Sequence, residues 1–202
     1  MYAKRSNYIL GFHGCDKSVR DKIINGEELL RKSSNDYDWL GSGIYFWENN
    51  YERALEYAHS IMKNPERCKS KITEPAVLGA VINLGYCLDL LESRNLQILK
   101  AGFEALNKLH NKFNLPMPEN KPIGKESDLI IRKLDCAVIE TVHQNNKEHT
   151  FDSVRAVFFE GKDLYPNAGF KEKNHIQICV RNPNCIKGLF IPRELDEKYS
   201  NP

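Results

Sequence analysis

The stretch GSGIYFW at residues 41–47 runs from a glycine turn into a compact run of apolar and aromatic residues. A run of this kind, bounded by turn residues, is typical of a β-strand. Residues 50–62 follow directly and repeat small and aliphatic side chains at helical spacing, with Asn49 or Asn50 in front as a candidate N-cap. The sequence therefore predicts a turn, a strand and a helix in close succession.

The same order of elements is predicted just before this stretch. Residues 8–14, YILGFHG, are typical of a short strand that runs into a glycine turn. Asp16 is placed to cap a helix whose apolar positions are Val19, Ile23 and Ile24. Asn25-Gly26 is the kind of pair that ends a helix. We expect a second strand and helix pair here.

The rest of the chain separates into a central strand, a helical middle and a strand-rich end. Residues 75–82 form an apolar run that predicts a buried strand. Two helices are predicted next, followed by strands near residues 154–159, 176–180 and 188–191. Strands at both ends with helices between them favour an α+β fold rather than the alternating pattern of a doubly wound sheet. We expect one domain over residues 1–202.

Composition narrows the classes of protein that this chain can belong to. Of 202 residues, 41% are hydrophobic and 28% are charged, as in an ordinary globular protein. Lys and Arg number 29 against 27 Asp and Glu, a net charge of +2. This balance excludes a strongly basic nucleic-acid coat, though not a local basic groove. No stretch approaches 18 consecutive apolar residues and the first apolar run is brief, so we expect a cytoplasmic protein that does not enter a membrane.

The six cysteines are scattered along the chain and form no C-x-x-C pair. An even count permits disulfides, but the absence of a recognisable secretion signal argues against them. Cys179 and Cys185 lie near His175 without the usual spacing of zinc ligands. We therefore expect free, mostly buried thiols and no metal site.

Three segments carry the residues with catalytic potential: FHG at 12–14, GSGIYF at 41–46 and HIQICV at 175–180. Taken singly, each is more often structural, since histidine before glycine and G-x-G are common at turns. In this order, however, the chain resembles the diphtheria-toxin-like and poly(ADP-ribose) polymerase-like branch of the ADP-ribosyltransferases. That branch carries histidine, tyrosine and glutamate on three separate strands. His13 and Tyr45 match the first two, and the second block, with Tyr57 on its helix, is the most specific match.

The third member of the triad departs from the family pattern. Counting back from Asn184-Cys185-Ile186 puts Gln177 at the position of the family's acidic residue. A register shift would put His175 there instead, because both residues lie on the same face of a strand. An amide can hydrogen-bond a ribose hydroxyl but carries no charge and cannot act as a base. The triad is therefore His13, Tyr45 and Gln177, and Gln177 argues against polymer elongation.

The resemblance implies a role for each residue that matches. His13 would hold the adenosine ribose of NAD, and the backbone of Gly14 would pair with the nicotinamide amide. Tyr45 would stack on the nicotinamide ring, with Tyr57 closing the other face. Ser42 is a candidate hydrogen-bond donor to NAD in place of a serine that relatives carry further on. Together these are the expected NAD-binding residues, with NAD as a substrate.

The implied activity is that of a NAD-dependent mono-ADP-ribosyltransferase. Such an enzyme breaks the bond between nicotinamide and ribose and transfers ADP-ribose to a macromolecular acceptor, a protein or a nucleic acid. A bacterial or phage-conflict toxin with an antitoxin partner is one setting for this activity. The alternatives are an NAD glycohydrolase, or an impaired enzyme with this fold that serves as a binding module. A cysteine nucleophile at Cys15 is disfavoured because no orienting third group is apparent.

The resemblance covers the two ends of the chain, residues 8–62 and 151–191. The implied fold is a split, mixed or antiparallel sheet, with a helical insertion at about 84–150 that no motif covers. Two further features remain open at this level. Arg53 is a candidate for contact with the NAD pyrophosphate, although an exposed helix arginine is the simpler interpretation. The loop at 162–174, with Tyr165, Asn167 and Phe170, stands where relatives select their acceptor.

Overall fold

The computed structural model describes residues 8–67, 70–123, 128–146 and 150–200. In this part of the chain the elements are, in order, β1 (Tyr8–Asp16), α1 (Lys17–Ile24), β2 (Ile44–Glu48), α2 (Tyr51–Lys63), β3 (Pro75–Asn83), β4 (Cys87–Asp89), α3 (Ser93–Lys112), β5 (Asn120–Lys121), β6 (Ile131–Arg132), α4 (Lys133–Asn145), β7 (Ser153–Phe158), β8 (His175–Val180) and β9 (Ile186–Phe190). The predicted α1 and α2 are confirmed, with Asp16 and Asn50 as their N-caps.

Among the described residues, seven strands form one sheet in the order β4-β7-β8-β2-β1-β3-β9. The β4–β7 pair is parallel and the remaining pairs are antiparallel, so the sheet is mixed. Strands from both ends of the chain are interleaved in this order, and β8 lies directly beside β2. The prediction of a mixed α and β architecture is confirmed.

Register assigns each side chain of the central strands to one of two faces. Residues directly opposite one another in an antiparallel pair share a face, and neighbours along a strand alternate. Tyr45 pairs with Cys179 and Trp47 pairs with Gln177, so these four residues share what we call the Tyr45 face. Phe46 pairs with Ile178 on the opposite side, the Phe46 face.

Helices cover the Tyr45 face on both sides of its centre. α2 packs Ala54 against Trp47 and Val77, over β2 and β3. α4 packs Ile139 in the same apolar cluster as Val154 of β7, over the other half of the sheet. The centre of the face, on β2 and β8, therefore lies between two helices.

The Phe46 face carries the most completely buried part of the core. Phe46, Ile82 and Ile178 have no exposed surface, and they cluster with Ile44, Ala80, Val180 and Cys185. α1 closes the same side through Ile23, which packs on Cys15 and Leu78. Burial of these large side chains stabilises the strands that carry the proposed triad, by about 1.5–3 kcal/mol for each fully buried one.

The middle of the chain is less purely helical than expected. The two predicted helices are present as α3 and α4. The same segment also contributes β4, an edge strand of the main sheet, and a separate β5–β6 hairpin, both of which the sequence interpretation missed. Their strands have only two or three residues, too few for an alternating pattern to be visible. The described part of the chain between β3 and β7 therefore contributes strands as well as helices.

The thiols behave as expected in the described residues. Free cysteines are Cys15, Cys87, Cys136, Cys179 and Cys185, and four of these five are buried. Cys68 lies outside the described residues. In those residues, no group of histidine, cysteine and acidic side chains is arranged to hold a metal ion. No helix of the described part is long and apolar enough to span a membrane.

Asp16 joins α1 to the chain that leads into β3. Its carboxylate accepts hydrogen bonds from the backbone of Ser18, Thr73 and Glu74 and from the hydroxyls of Ser18 and Thr73, at 2.6–3.0 Å. Burial acts to raise the pKa of Asp16, but these hydrogen bonds outweigh it and hold the pKa well below its usual range. The ionised carboxylate therefore stabilises the folded state.

Replacing Asp16 by asparagine is expected to lower the free energy of unfolding by about 1–3 kcal/mol at pH 7, because buried donors lose a charged acceptor. A depressed pKa contributes stability above the unfolded value, near 4, and loses it as the pH falls below that value. Urea unfolding should therefore show the difference between wild type and Asp16→Asn shrinking from pH 7 to pH 3. Asp21→Asn, at a side chain that is 44% exposed, is the control, and an equal loss in both variants would contradict the assignment.

Candidate functional site

The sheet opens between β1 and β2 at the first motif. β1 pairs with β3 along its whole length, from Tyr8 to Asp16. Its pairing with β2 covers only Gly11 with Glu48 and Phe12 with Trp47. Beyond Phe12 the ladder is not continued, and the His13 ring nitrogen Nδ1 lies 2.8 Å from the Tyr45 carbonyl oxygen. A side chain thus takes the place of the next backbone hydrogen bond.

The backbone of Gly14 faces this opening. In an antiparallel ladder, alternate residues direct their N–H and C=O groups to opposite neighbours. Lys17 N–H donates to Glu74 toward β3, and the Leu10 carbonyl accepts from Asn49 toward β2. Gly14 has the same parity as Leu10, so its backbone groups point toward β2. The described pairing of β1 with β2 stops before Gly14, which leaves these groups at the edge of the split.

His13 is held in one neutral form. A carbonyl oxygen only accepts, so Nδ1 of His13 carries the proton and donates to Tyr45. Burial lowers the pKa of His13, and the hydrogen bond to Tyr45 opposes that effect only in part. The ring also contacts Phe46, with centroids 5.8 Å apart. Neutral His13 therefore presents Nε2 as a hydrogen-bond acceptor near the split.

Tyr45 is anchored through its hydroxyl. The group donates to the Gly41 carbonyl at 2.7 Å and accepts from Leu40 N–H at 2.8 Å. Burial raises the pKa of the Tyr45 phenol well above its ordinary value, and Cys179 and Asp38 act in the same direction. The phenol is therefore neutral, and both ends of the side chain are fixed. Its role in the structure is to hold the turn that precedes β2.

A residue pair outside every motif fixes the same turn. Glu140 of α4 accepts from Ser42 N–H at 2.7 Å and pairs with Arg181, with an Nη1–Oε1 distance of 2.7 Å. Arg181 Nη1 also donates to the Ser42 carbonyl at 3.0 Å. The N–H and C=O groups of Ser42, a predicted NAD contact, are thus both hydrogen-bonded within the protein. This contact leaves no local pattern in the sequence, since Glu140 lies 98 residues from Ser42.

The glycines of the G-x-G stretch are required by close packing. Gly41 has φ of +74°, and a Cβ there would lie 2.6 Å from the Glu140 carboxylate. A Cβ at Gly43 would lie 2.4 Å from the Cys179 sulfur. Side chains rarely tolerate either situation. The most specific sequence match is therefore also the place where α4 and β8 approach the backbone of the turn.

Gln177 lies on the Tyr45 face, between Trp47 of β2 and Ala156 of β7. Its side chain is partly exposed, and its amide has no hydrogen-bond partner within the described parts of the chain. It is a diagonal neighbour of Tyr45, whereas His13 reaches Tyr45 from the strand on the other side. The three predicted catalytic residues thus come from adjacent strands, with Tyr45 in the middle.

His175 shares the face of Gln177, as expected from their spacing, but it is buried. Only 5% of its surface is exposed, and Nδ1 donates to the Lys173 carbonyl at 2.7 Å. Its ring lies against Trp39, Trp47 and Phe158, with centroids 6.4, 6.4 and 5.8 Å away. Of the two residues left open by the sequence, Gln177 is the one that is partly exposed.

α2 supplies the remaining predicted contacts. Tyr57 is 38% exposed and packs on Trp47, with ring centroids 5.1 Å apart. Arg53, one turn earlier, pairs with Glu56 at 2.5 Å and with Glu160 at 3.2 Å. Its guanidinium is thus engaged by carboxylates, although its Nε is unpartnered. The sequence analysis had not singled out Trp47, which contacts both α2 and β8.

The loop at 162–174 is held near its two ends by Asp128 and is exposed at its tip. Asp128 accepts from Gly161 N–H at 2.6 Å and pairs with Lys171 at 2.9 Å. Tyr165 and Phe170 are more than half exposed, and Asn167 adopts φ of +62°. All three side chains are therefore exposed to solvent.

Comparison with known proteins gives one informative match. No family model matches the chain. It is similar to an uncharacterized protein of Methanocaldococcus jannaschii, MJ0359, at 29% identity over an alignment of 204 positions that covers 88% of this chain and 84% of that protein. No solved structure matches.

Proposed function

We propose that this protein is a NAD-dependent mono-ADP-ribosyltransferase. The observation that carries the proposal is the split between β1 and β2, where the backbone of Gly14 is left unpaired beside Tyr45. A carboxamide offers one acceptor and two donors, which complement the N–H and C=O of Gly14. Nicotinamide bound there would lie next to the Tyr45 ring. The unpaired backbone would thus be satisfied by a substrate.

The order of the strands supports the same proposal. The three motif segments begin at residues 12, 41 and 175, far apart in the sequence. β1, β2 and β8 are nevertheless consecutive in the sheet. A ligand that bridges this part of the sheet can therefore contact all three segments. NAD, with nicotinamide at one end and adenosine at the other, is long enough to do so.

The reaction requires stabilisation of positive charge on the nicotinamide ribose. When the bond from the ribose carbon to the nicotinamide nitrogen breaks, its electron pair neutralises the pyridinium and leaves an oxocarbenium-like sugar. Fixed dipoles around the bound substrate stabilise that charge. The carbonyl oxygen of the Gln177 amide, which has no partner within the described residues, supplies such a dipole and can orient a ribose hydroxyl.

Gln177 itself provides no base for polymer elongation. An amide does not take a proton at neutral pH, so it cannot activate the hydroxyl of a growing chain. We propose one ADP-ribose unit per acceptor, the acceptor being a macromolecule that reaches the exposed loop at 162–174. The toxin setting, with an antitoxin, and a cytoplasmic location belong to the same proposal. Hydrolysis of NAD is the outcome when water replaces the acceptor.

The test is the release of nicotinamide from NAD. Wild type should release it, and Gln177→Ala should do so about 10- to 100-fold more slowly, because a dipole at the developing charge is lost. Gln177→Glu should at least retain wild-type activity. Exposed Gln97→Ala is the matched control and should be unchanged. Equal rates in wild type and Gln177→Ala would contradict the role of Gln177.

A separate result would contradict the enzyme itself. Absence of nicotinamide release by wild type, both with NAD alone and with added cell lysate, would overturn the proposed activity. Retention of NAD binding in that case, measured by calorimetry, would favour the binding module. Labelled NAD with lysate digested separately by protease and by nuclease would identify the class of acceptor.

A further inference from the structure

Buried polar nitrogens without partners are concentrated in one part of the cleft. In the described residues such atoms include Trp47 Nε1, Arg53 Nε and His175 Nε2. Trp47 and His175 are 6% and 5% exposed. A buried donor or acceptor left unsatisfied costs about 1–3 kcal/mol, so groups of this kind are normally met by a ligand or by water. We call this group of three nitrogen atoms the Trp47 niche.

Several contacts bring the three side chains together. The rings of Trp47 and His175 have centroids 6.4 Å apart. Arg53 lies one turn before Tyr57, whose ring packs on Trp47. The Arg53 guanidinium also reaches Glu160, two residues after Phe158, which packs on His175. α2, β2 and β8 thus each contribute one polar nitrogen to the niche.

The three nitrogens have complementary hydrogen-bonding roles. Trp47 Nε1 and Arg53 Nε carry hydrogens and only donate. His175 Nδ1 donates to the Lys173 carbonyl, so its Nε2 is an acceptor. Burial lowers the pKa of His175 to about 4; Arg53, Arg132 and Lys173 act in the same direction and the hydrogen bond to Lys173 opposes them. At neutral pH, Nε2 therefore keeps its lone pair.

A hydroxyl group is the chemical match for two donors and one acceptor. Its oxygen accepts from Trp47 and Arg53, and its hydrogen is donated to His175. An ionised carboxylate has no hydrogen for His175, and an ammonium cannot accept from the two donors. The niche therefore selects alcohols and water over acidic or cationic groups.

We propose that the Trp47 niche binds the hydroxyl of the ADP-ribose acceptor and that His175 Nε2 takes its proton. This inference rests on the proposed function. The acceptor O–H bond breaks, its proton passes to Nε2 and its oxygen bonds to the anomeric carbon of the nicotinamide ribose. The bond from that carbon to the nicotinamide nitrogen breaks, neutral nicotinamide leaves, and His175 later returns the proton to solvent.

His175 can accept a proton, whereas Gln177 cannot. The two side chains lie on the same face of β8, two residues apart. Gln177 can orient a ribose hydroxyl but cannot accept a proton at neutral pH, whereas an unprotonated imidazole can. The proposed proton acceptor, His175, thus lies two residues before Gln177, the position that matches the family's acidic residue.

The first test uses small acceptors as probes. Wild type is incubated with NAD and methanol, methylamine or acetate, and the ADP-ribosyl products are measured by mass spectrometry. We expect the methyl glycoside of ADP-ribose, with the methanol oxygen on the anomeric carbon, to be the main adduct. His175→Gln, which keeps an acceptor atom but takes no proton, should form it about 100-fold more slowly. Trp47→Phe should reduce it about 10-fold, and both variants should bind NAD within 2-fold of wild type.

Adducts mainly with methylamine or acetate would overturn the proposal, as would rates within 2-fold of wild type in both variants. A second measurement tests hydroxyl binding independently of catalysis. It applies even if wild type releases no nicotinamide and the proposed function fails. A crystal of the protein soaked in methanol should contain an oxygen atom within about 3.2 Å of Trp47 Nε1 and His175 Nε2. A niche with no bound atom would overturn the hydroxyl site itself.

Discussion

Replacing Arg155 by methionine is expected to lower the free energy of unfolding by about 3–5 kcal/mol, because two buried carboxylates lose their shared cation. Arg155 Nε lies 2.5 Å from Glu48 Oε2, and Nη2 lies 2.9 Å from Glu48 Oε1. Arg155 Nη1 lies 3.1 Å from Asp89 Oδ2. The three side chains are 6%, 12% and 9% exposed. Methionine fills similar space but removes the cation that both carboxylates share.

Chemical denaturation at pH 7 measures this loss. Arg31→Met is the matched control, because the Arg31–Glu28 pair is on the surface with Arg31 86% exposed. Its effect should stay below about 1 kcal/mol. Adding Glu48→Gln and Asp89→Asn to Arg155→Met should recover part of the loss, since the two carboxylate charges are then removed. A loss in Arg155→Met no larger than in the control would contradict the assigned role.

The Arg155 cluster also determines how β8 is held. Arg155 belongs to β7, Glu48 to β2 and Asp89 to β4. β8 lies between β7 and β2, so the Arg155–Glu48 pair passes across it on the Phe46 face. Gln177 and His175 are on the other face of the same strand. A buried ion pair therefore fixes the position of the strand that carries both candidate site residues.

Much of the fold was predictable because its signals are local. Capping by Asp16 and Asn50 is visible in the sequence, since a short polar side chain precedes each run of helical spacing. The apolar run at 75–82 is confirmed as β3, which lies inside the sheet between β1 and β9. Elements of this length contain enough residues for a period of two or 3.6 to be recognised.

The site was predictable only in part, because its geometry depends on strand register. The motifs indicated which strands carry His13, Tyr45 and Gln177. They could not show that β1 and β2 separate after Phe12, since a shift of one residue exchanges the two faces of a strand. The hydrogen bonds and ion pairs that hold the site in place could not be predicted either. Glu140 bonds to Ser42, 98 residues away in the sequence, and Arg155 bonds to Glu48, 107 residues away. Long-range pairs of this kind leave no pattern in a single sequence.

Gly14→Ala is the substitution expected to damage the site most. A Cβ at Gly14 would lie 2.1 Å from the carbonyl oxygen of Ala54 and 3.3 Å from the backbone nitrogen of Ala58. Both atoms belong to the backbone of α2, so no side-chain rotation relieves the contact. α2 must shift away from β1, and overpacking of this kind costs about 1–3 kcal/mol. The shift also moves Arg53 and Tyr57 relative to β2.

We expect Gly14→Ala to remain folded, to unfold at lower urea concentration and to release nicotinamide from NAD at least about 100-fold more slowly, because a displacement near 1 Å is enough for such a loss. Gly188→Ala is the matched control, since a Cβ there meets nothing within 4 Å. It should change stability by less than about 1 kcal/mol and leave NAD cleavage intact. Wild-type cleavage by Gly14→Ala would contradict the expectation that NAD cleavage depends on the close packing of α2 against Gly14.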